Sequence, residues 1–235
     1  MKLFLFDVDL TLVNTGGAGL RAVDRACQKL LSVETAKQGI DPSGKTDPAI
    51  VREIFSRFGI IADGGIGIET VLESYLAFLR EEVAMSEKYH VLPGIVPILD
   101  EISARPNTML GLATGNIELG ARVKLQRGGL NGYFNFGGFG SDSEDRTELV
   151  RKAGEAAGRR HGDSIRPTDI FVIGDTPLDI AAGRGAGYKT VGVATGRYST
   201  VLLHEAGATF VISNFQQGHD HFLRSIFSED CSGGL

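Results

Sequence analysis

The sequence predicts an α/β fold, a doubly wound parallel sheet with a small all-helical segment inserted after the first strand. Three observations lead there. Short apolar runs at 3–13, 109–114, 170–174, 190–194 and 210–212 have the length and branched or aromatic content of strands buried on both faces. Helical spacing fills the intervals after 90, which is the alternation that lays helices on both sides of a parallel sheet. Between about 14 and 86 only helical patterns occur. The 235 residues suffice for one core with an insertion, so the expected division is 1–13 and 91–235 for the α/β core and 14–90 for the helical part.

The first run carries Asp7 and Asp9 one residue apart. In an extended chain both side chains project from one face at the strand's carboxyl end. Two anions there repel unless a cation lies between them; an edge strand entering a polar turn is the plain alternative. The flexible passage Asn14–Gly19 then leads into a helix marked by Leu20, Val23, Cys27, Leu30 and Leu31. Two further helices carry Ile50, Val51, Ile54 and Phe55, and then Ile68, Val71, Leu72, Tyr75, Leu76, Leu79 and Val83. Before the second of these three stands Gly44-Lys45-Thr46-Asp47. Thr46 or Asp47 can cap that helix, whereas Lys45 and the loop amides can reach an anion.

From Leu92-Pro93-Gly94 a turn opens a helix over Val96, Ile98, Leu99 and Ile102. The strand after it ends in Thr114-Gly115-Asn116. Gly115 permits a sharp turn, and the Thr114 hydroxyl with nearby amides can bind a phosphate oxygen, although the same residues serve ordinary turns. In the helix from Glu118, Lys124 is by default a solvated cation. After Phe136–Phe139 an acidic loop precedes Arg146, whose permanent charge opens the next helix and can face the strand ends that carry Asp7 and Asp9. Ile170–Gly174 repeats the opening pattern: Asp175 follows the strand, and Asp179 falls in the first turn of a helix begun by Pro177. Asp175 could simply cap that helix. Parallel strands, however, bring their carboxyl ends to one crevice, where the four acids would meet.

Composition narrows the partners. With 24 Lys+Arg against 29 Asp+Glu and a formal charge of -5, neither nucleic acid nor an anionic membrane is an expected partner. Asp7 interrupts the only apolar stretch near the start, so a secretory signal or membrane span is not expected and a cytoplasmic address follows. Cys27 and Cys231 are too isolated for a disulfide framework or thiolate site, and His219 and His221 lack a third ligand.

In order and spacing, Asp7-x-Asp9-x-Thr11, Thr114-Gly115-Asn116, a basic residue, and Gly174-Asp175-x-x-x-Asp179 resemble the four motifs of the haloacid dehalogenase superfamily. The helical insertion, Gly44-Lys45-Thr46-Asp47 and Leu92-Pro93-Gly94 are similar to its phosphoglycolate phosphatase and β-phosphoglucomutase branch. The resemblance implies a Rossmann-like core with a helical cap, and phosphoryl transfer from a small phosphorylated metabolite through an aspartyl phosphate. Asp7 would be the nucleophile and Asp9 the general acid and base. Mg2+ would be held by Asp7, the Asp9 carbonyl and Asp175, with Asp179 holding its waters. Thr114, Gly115 and Asn116 would receive the phosphate together with Arg146 or, second to it, Lys124. Thr11 would shape its loop by local hydrogen bonds and stand among the phosphate-binding residues, and Lys45 and Thr46 would bind the substrate at its phosphate or leaving group. One departure stands out: many relatives present Lys-Pro at the third motif, where this chain has Asp145-Arg146-Thr147-Glu148. A phosphatase acting on a small phosphate monoester of the phosphoglycolate or sugar phosphate type is the expected activity, as monomer or homodimer. A phosphomutase is the alternative, ahead of a dehalogenase, a receiver-like phospho-acceptor or a non-catalytic binding protein.

Overall fold

The computed structural model describes residues 1–61 and 66–227. It divides the predicted first strand in two. β1 (Lys2–Phe6) stops before the first acid, and the chain turns through 7–12 into β2 (Val13–Asn14). Leu12 and Val13 both donate to the Val8 carbonyl, at 3.0 and 3.1 Å, which closes the turn. Leu10, between Asp9 and Thr11, sits at φ 57°, a left-handed conformation that costs a branched residue about 1–2 kcal/mol. The Thr195 hydroxyl donates to the Leu10 carbonyl at 2.5 Å and helps to hold it there. Asp7 continues the line of β1, while Asp9 is placed by a tight loop and not by the pleat of one long strand.

The chain continues through α1 (Ala18–Leu31), α2 (Asp47–Phe58) and α3 (Ile68–Met85), and returns through β3 (His90–Val91). β2 and β3 pair antiparallel, Val13 opposite Val91 and Asn14 opposite His90. The Ser86 hydroxyl reinforces this crossing by donating to the Thr15 carbonyl at 2.8 Å. The apolar spacing of the three helices closes them on a cluster of their own, with Val23 and Cys27 from α1, Val51 and Ile54 from α2, and Tyr75 and Leu79 from α3. Burial there pushes the Cys27 thiol up to about 11, so it stays protonated and inert. Cys231 lies outside the described residues.

The remainder alternates: α4 (Ile95–Ala104), β4 (Thr108–Thr114), α5 (Glu118–Arg127), β5 (Gly137–Phe139), α6 (Arg146–His161), β6 (Ile170–Gly174), α7 (Pro177–Gly185), β7 (Lys189–Val193), α8 (Thr200–Glu205), β8 (Phe210–Ile212) and α9 (Phe215–Phe227). The sheet runs β5-β4-β1-β6-β7-β8 with every pair parallel. β1 lies inside it, alternating its side chains between two cores. Phe4 and Phe6 pack with α4, α5 and α9, while Leu3 and Leu5 pack with α6 and α7. Because β4 and β6 flank β1, the loops after these three strands open side by side at the sheet's switch point. Among the described residues no helix is long and apolar enough to cross a membrane. The histidines flagged near the end lie on α9, where His219 approaches Glu101 at 3.0 Å.

Candidate active site

The sheet order accounts for the convergence. The Asp7 amide donates to the Ile173 carbonyl at 2.9 Å, extending the register of β1 on β6 by one residue and setting Asp7 beside Asp175. Thr114 ends β4, and its hydroxyl bonds Asp7 while accepting from Asn116 N and Nδ2 at 3.3 and 2.8 Å. One oxygen from each of Asp7, Asp175 and Asp179 lies within 4.8 Å of the other two, and all three residues are buried.

α7 is capped by Thr176, not by Asp175. The Thr176 hydroxyl accepts from Asp179 N at 3.3 Å, and Asp179 Oδ2 accepts from Thr176 N and Oγ1 at 3.0 and 2.7 Å. This capping box leaves Asp175 to face the cluster and fixes Asp179 behind it. Thr11 was expected to bond locally and to meet phosphate. Its hydroxyl instead donates to Asp175 Oδ1 at 3.4 Å, and the side chain is fully buried away from the cavity. The turn at 8–13 explains the difference, because it brings Thr11 against Asp175 at the end of the neighbouring strand.

Both candidate cations are present, on different acids. Arg146 pairs with Asp179 Oδ1 and lies 3.8 Å from Asp7, and its buried Nε has no partner among the described residues. Lys124 is buried, not solvated: its Nζ reaches Asp9 Oδ2 at 2.6 Å and also bonds Asn116 Oδ1. Burial opposes the ammonium form of Lys124, but Asp9 and Asp47 outweigh burial and raise its pKa. Asn116 Nδ2 donates to the same Asp9 oxygen at 2.8 Å. Asp9 is thus oriented from one side while its side chain remains 39% exposed.

Electrostatically the cluster is short of positive charge. Burial, then Asp179, raises the Asp7 carboxyl to about 7 despite Arg146, and burial with Asp179 and Asp7 raises Asp175 to about 9. The folded protein therefore holds protons that the unfolded chain, with carboxyls near 4, releases. The stabilising effect of those protons is fully present below about 4 and is lost progressively as pH rises from there through about 7 for Asp7 and about 9 for Asp175. Thermal unfolding in a chelator should show Tm falling over this window, and Asp175→Asn should flatten the fall. An unchanged pH slope in the variant would contradict this assignment. A divalent cation would remove the same penalty, and the all-oxygen, anionic donor set fits a hard ion such as Mg2+.

The helical part meets the sheet through the loop before α2. Thr46 caps α2, its hydroxyl accepting from Ala49 N at 3.3 Å, and it lies outside the cavity, so the phosphate role foreseen for it has no geometric support. Lys45 does line the cavity, with its ammonium paired to Glu53. The residues that sequence reasoning missed are Asp47 and Tyr75. Asp47 N donates to the Gly115 carbonyl at 2.7 Å, its Oδ2 accepts from Ile117 N at 2.9 Å, and the Tyr75 hydroxyl donates to the carboxylate. Burial lifts Asp47 to about 6, partly countered by Lys124. Asp47 stood in a motif already singled out for capping, whereas Tyr75 fell on an apolar helical spacing that gave no sign of its hydroxyl's task. Between the two parts lies a cavity of about 260 Å³. Asp7, Asp9, Asp175, Arg146 and Asn116 line its sheet side, and Leu20, Val23, Ile50 and Tyr75 its helical side.

The family model for haloacid dehalogenase-like hydrolases matches residues 4–193. "Probable phosphatase IndB" of Dickeya dadantii is 25% identical over 232 residues, 98% of each chain. Among solved structures, a β-phosphoglucomutase from Clostridium difficile superposes with TM-score 0.72 at 18% identity, covering 98% of this chain and 99% of that one. A hydrolase from Pseudomonas syringae gives TM-score 0.70 at 22% identity over 94% and 98% of the two chains.

Proposed function

We propose, since this chain belongs to the haloacid dehalogenase-like hydrolases, that it hydrolyses a small phosphate monoester through a phosphorylated Asp7. One observation carries the reading: Asp7 sits among Asp175, Asp179 and Arg146, with a second acid, Asp9, steered by Lys124 and Asn116, in one small cavity. Asp7 attacks phosphorus, and the bond to the leaving oxygen breaks as Asp9 gives that oxygen a proton. Asp9 then takes a proton from a water that attacks the phosphoryl group, releasing inorganic phosphate and restoring Asp7. The Thr114 hydroxyl and the Asn116 amide, which here bond Asp7 and Thr114, would turn to the phosphoryl oxygens together with the Gly115 amide and the Arg146 Nε. Magnesium, held by Asp7, Asp175 and the Asp9 carbonyl with Asp179 behind them, would supply the remaining positive charge.

Arg146 rather than Lys124 takes the third-motif position in this reading, because it alone pairs with the Asp7–Asp179 side of the cluster. Lys124 positions Asp9. The test is a panel of phosphate monoesters with magnesium and with EDTA, scored for inorganic phosphate and for isomerised sugar phosphate. Phosphate release that EDTA abolishes supports the reading; isomer formation without release would make the chain a phosphomutase, and inertness toward every ester would overturn both.

Closure of the helical part onto the sheet is the step most exposed to steric change. A Cβ on Gly115 would lie 2.3 Å from the Lys45 carbonyl oxygen, and one on Gly140 would lie 2.1 Å from the Gly115 carbonyl. Gly115→Ala must therefore push the Lys45–Asp47 loop outward. A displacement near 1 Å of a positioning element is worth about 10²-fold, so kcat/KM should drop by that order while the sheet, and hence Tm, changes little. Retention of wild-type kcat/KM would show that this contact does not limit the reaction.

A further inference from the structure

We propose that the leaving group this cavity accepts is a small uncharged alcohol with an aliphatic body, and that esters carrying a second anion are turned away. The proposal rests on the phosphatase reading above and names its substrate class. The side chains that α1 and α2 contribute to the cavity wall include Leu20, Val23 and Ile50, all apolar. The acid on the same side is Asp47, at the start of α2 and bonded by Tyr75 from α3.

Every cation lining the cavity already faces carboxylate. Lys45 pairs with Glu53, Lys124 lies between Asp9 at 2.6 Å and Asp47, and Arg146 lies between Asp179 and Asp7. The unpartnered Arg146 Nε belongs to the sheet side, where the transferred phosphoryl group sits. A carboxylate or second phosphate on the leaving group would thus come to rest beside Asp47, whose neighbouring cation, Lys124, is already bonded to Asp9 and Asn116. Like charges brought together in a desolvated site are discriminated on the order of 10²-fold. Conversely, each methylene set against an apolar wall favours the ester by about tenfold or more. At about 260 Å³ the cavity falls just below the range of pockets for drug-sized ligands, which limits the alcohol to a handful of carbon atoms. Phosphoglycolate, suggested by the resemblance of the motifs, carries the wrong charge for this wall.

The experiment compares isobutyl phosphate with phosphoglycolate at pH 8 in the presence of magnesium, using 4-nitrophenyl phosphate as a reporter of the phosphatase chemistry itself. Wild-type kcat/KM should favour isobutyl phosphate by on the order of 10²-fold. Asp47→Asn should narrow that ratio about tenfold, mainly by improving phosphoglycolate. Leu20→Lys, at a half-buried position, should do the same by adding a cation, and it serves as the test if Asp47→Asn unfolds. Equal or better turnover of phosphoglycolate by the wild type, with the reporter still hydrolysed, overturns this proposal and leaves the phosphatase reading intact. So does a folded variant pair whose ratios match the wild type. Failure to hydrolyse any of the three esters overturns the phosphatase reading, and the substrate class falls with it.

Discussion

Asp7→Asn should remove turnover of every phosphate ester while leaving the protein folded and, in a chelator at pH 8, more heat-stable than the wild type. The amide keeps the shape of the carboxylate and can still accept from Thr114, so the loop after β1 has no steric reason to move. It cannot attack phosphorus. Loss of a nucleophile that forms a covalent intermediate lowers kcat by on the order of 10⁴-fold or more. The stability gain comes from the same cluster: Asp7 is buried against Asp179 and Asp9 as well as Arg146, and burial already lifts its carboxyl to about 7. At pH 8 in the chelator the wild type must hold that charge with Arg146 alone to set against three acids, and the variant need not. Steady-state kinetics on one good ester and thermal unfolding in EDTA give the two readouts together. Activity within tenfold of wild type would exclude Asp7 as the nucleophile, and a lower Tm would show that its charge is compensated in some way other than the one described.

The chemistry of this site was legible in the sequence because each acid follows a strand, and strands are read by their apolar runs. Asp7, Asp175 and Thr114 were placed by β1, β6 and β4 alone. The register of those strands then brought them together without any need to foresee a side-chain contact. Thr11 and Thr46 were misread for a shared reason: a hydroxyl next to a motif can turn toward the ligand, the backbone or a neighbour, and only the turn geometry decides. Leu10 at φ 57° turns the chain so that Thr11 meets Asp175, and the cap geometry of α2 commits Thr46 to the Ala49 amide. Lys124 was hidden differently. A lysine within a polar helix is ordinarily solvated, and its burial here depends on Asp9 and Asp47, which lie 115 and 77 residues away in the chain and flank it only after the helical part has docked. Tyr75 likewise satisfied its apolar spacing in α3 while turning its hydroxyl to Asp47. Contacts across the seam between helices and sheet are what a one-dimensional pattern could not supply.

Asp9→Asn should separate the two halves of the reaction. In the first half Asp9 donates a proton to the departing oxygen, a service that matters in proportion to the basicity of the leaving group. An alkoxide cannot leave without it, so alkyl esters should lose on the order of 10²–10⁴-fold in kcat/KM, the range of general acid catalysis. A 4-nitrophenolate leaves unprotonated, so phosphorylation of Asp7 by its ester should be nearly as fast as in the wild type. The second half still needs a base to take the proton from water, and Asn cannot accept it. The phosphorylated Asp7 should therefore accumulate, and rapid mixing with 4-nitrophenyl phosphate should show a burst of one nitrophenolate per protein followed by slow turnover. The geometry predicts that Lys124→Met follows the same pattern more weakly, because Lys124 and Asn116 hold one Asp9 oxygen while the other side of the carboxylate faces the cavity. If Asp9→Asn slowed the aryl and alkyl esters equally and gave no burst, Asp9 would be serving the shape and charge of the site, and proton transfer to the leaving group would have to come from elsewhere.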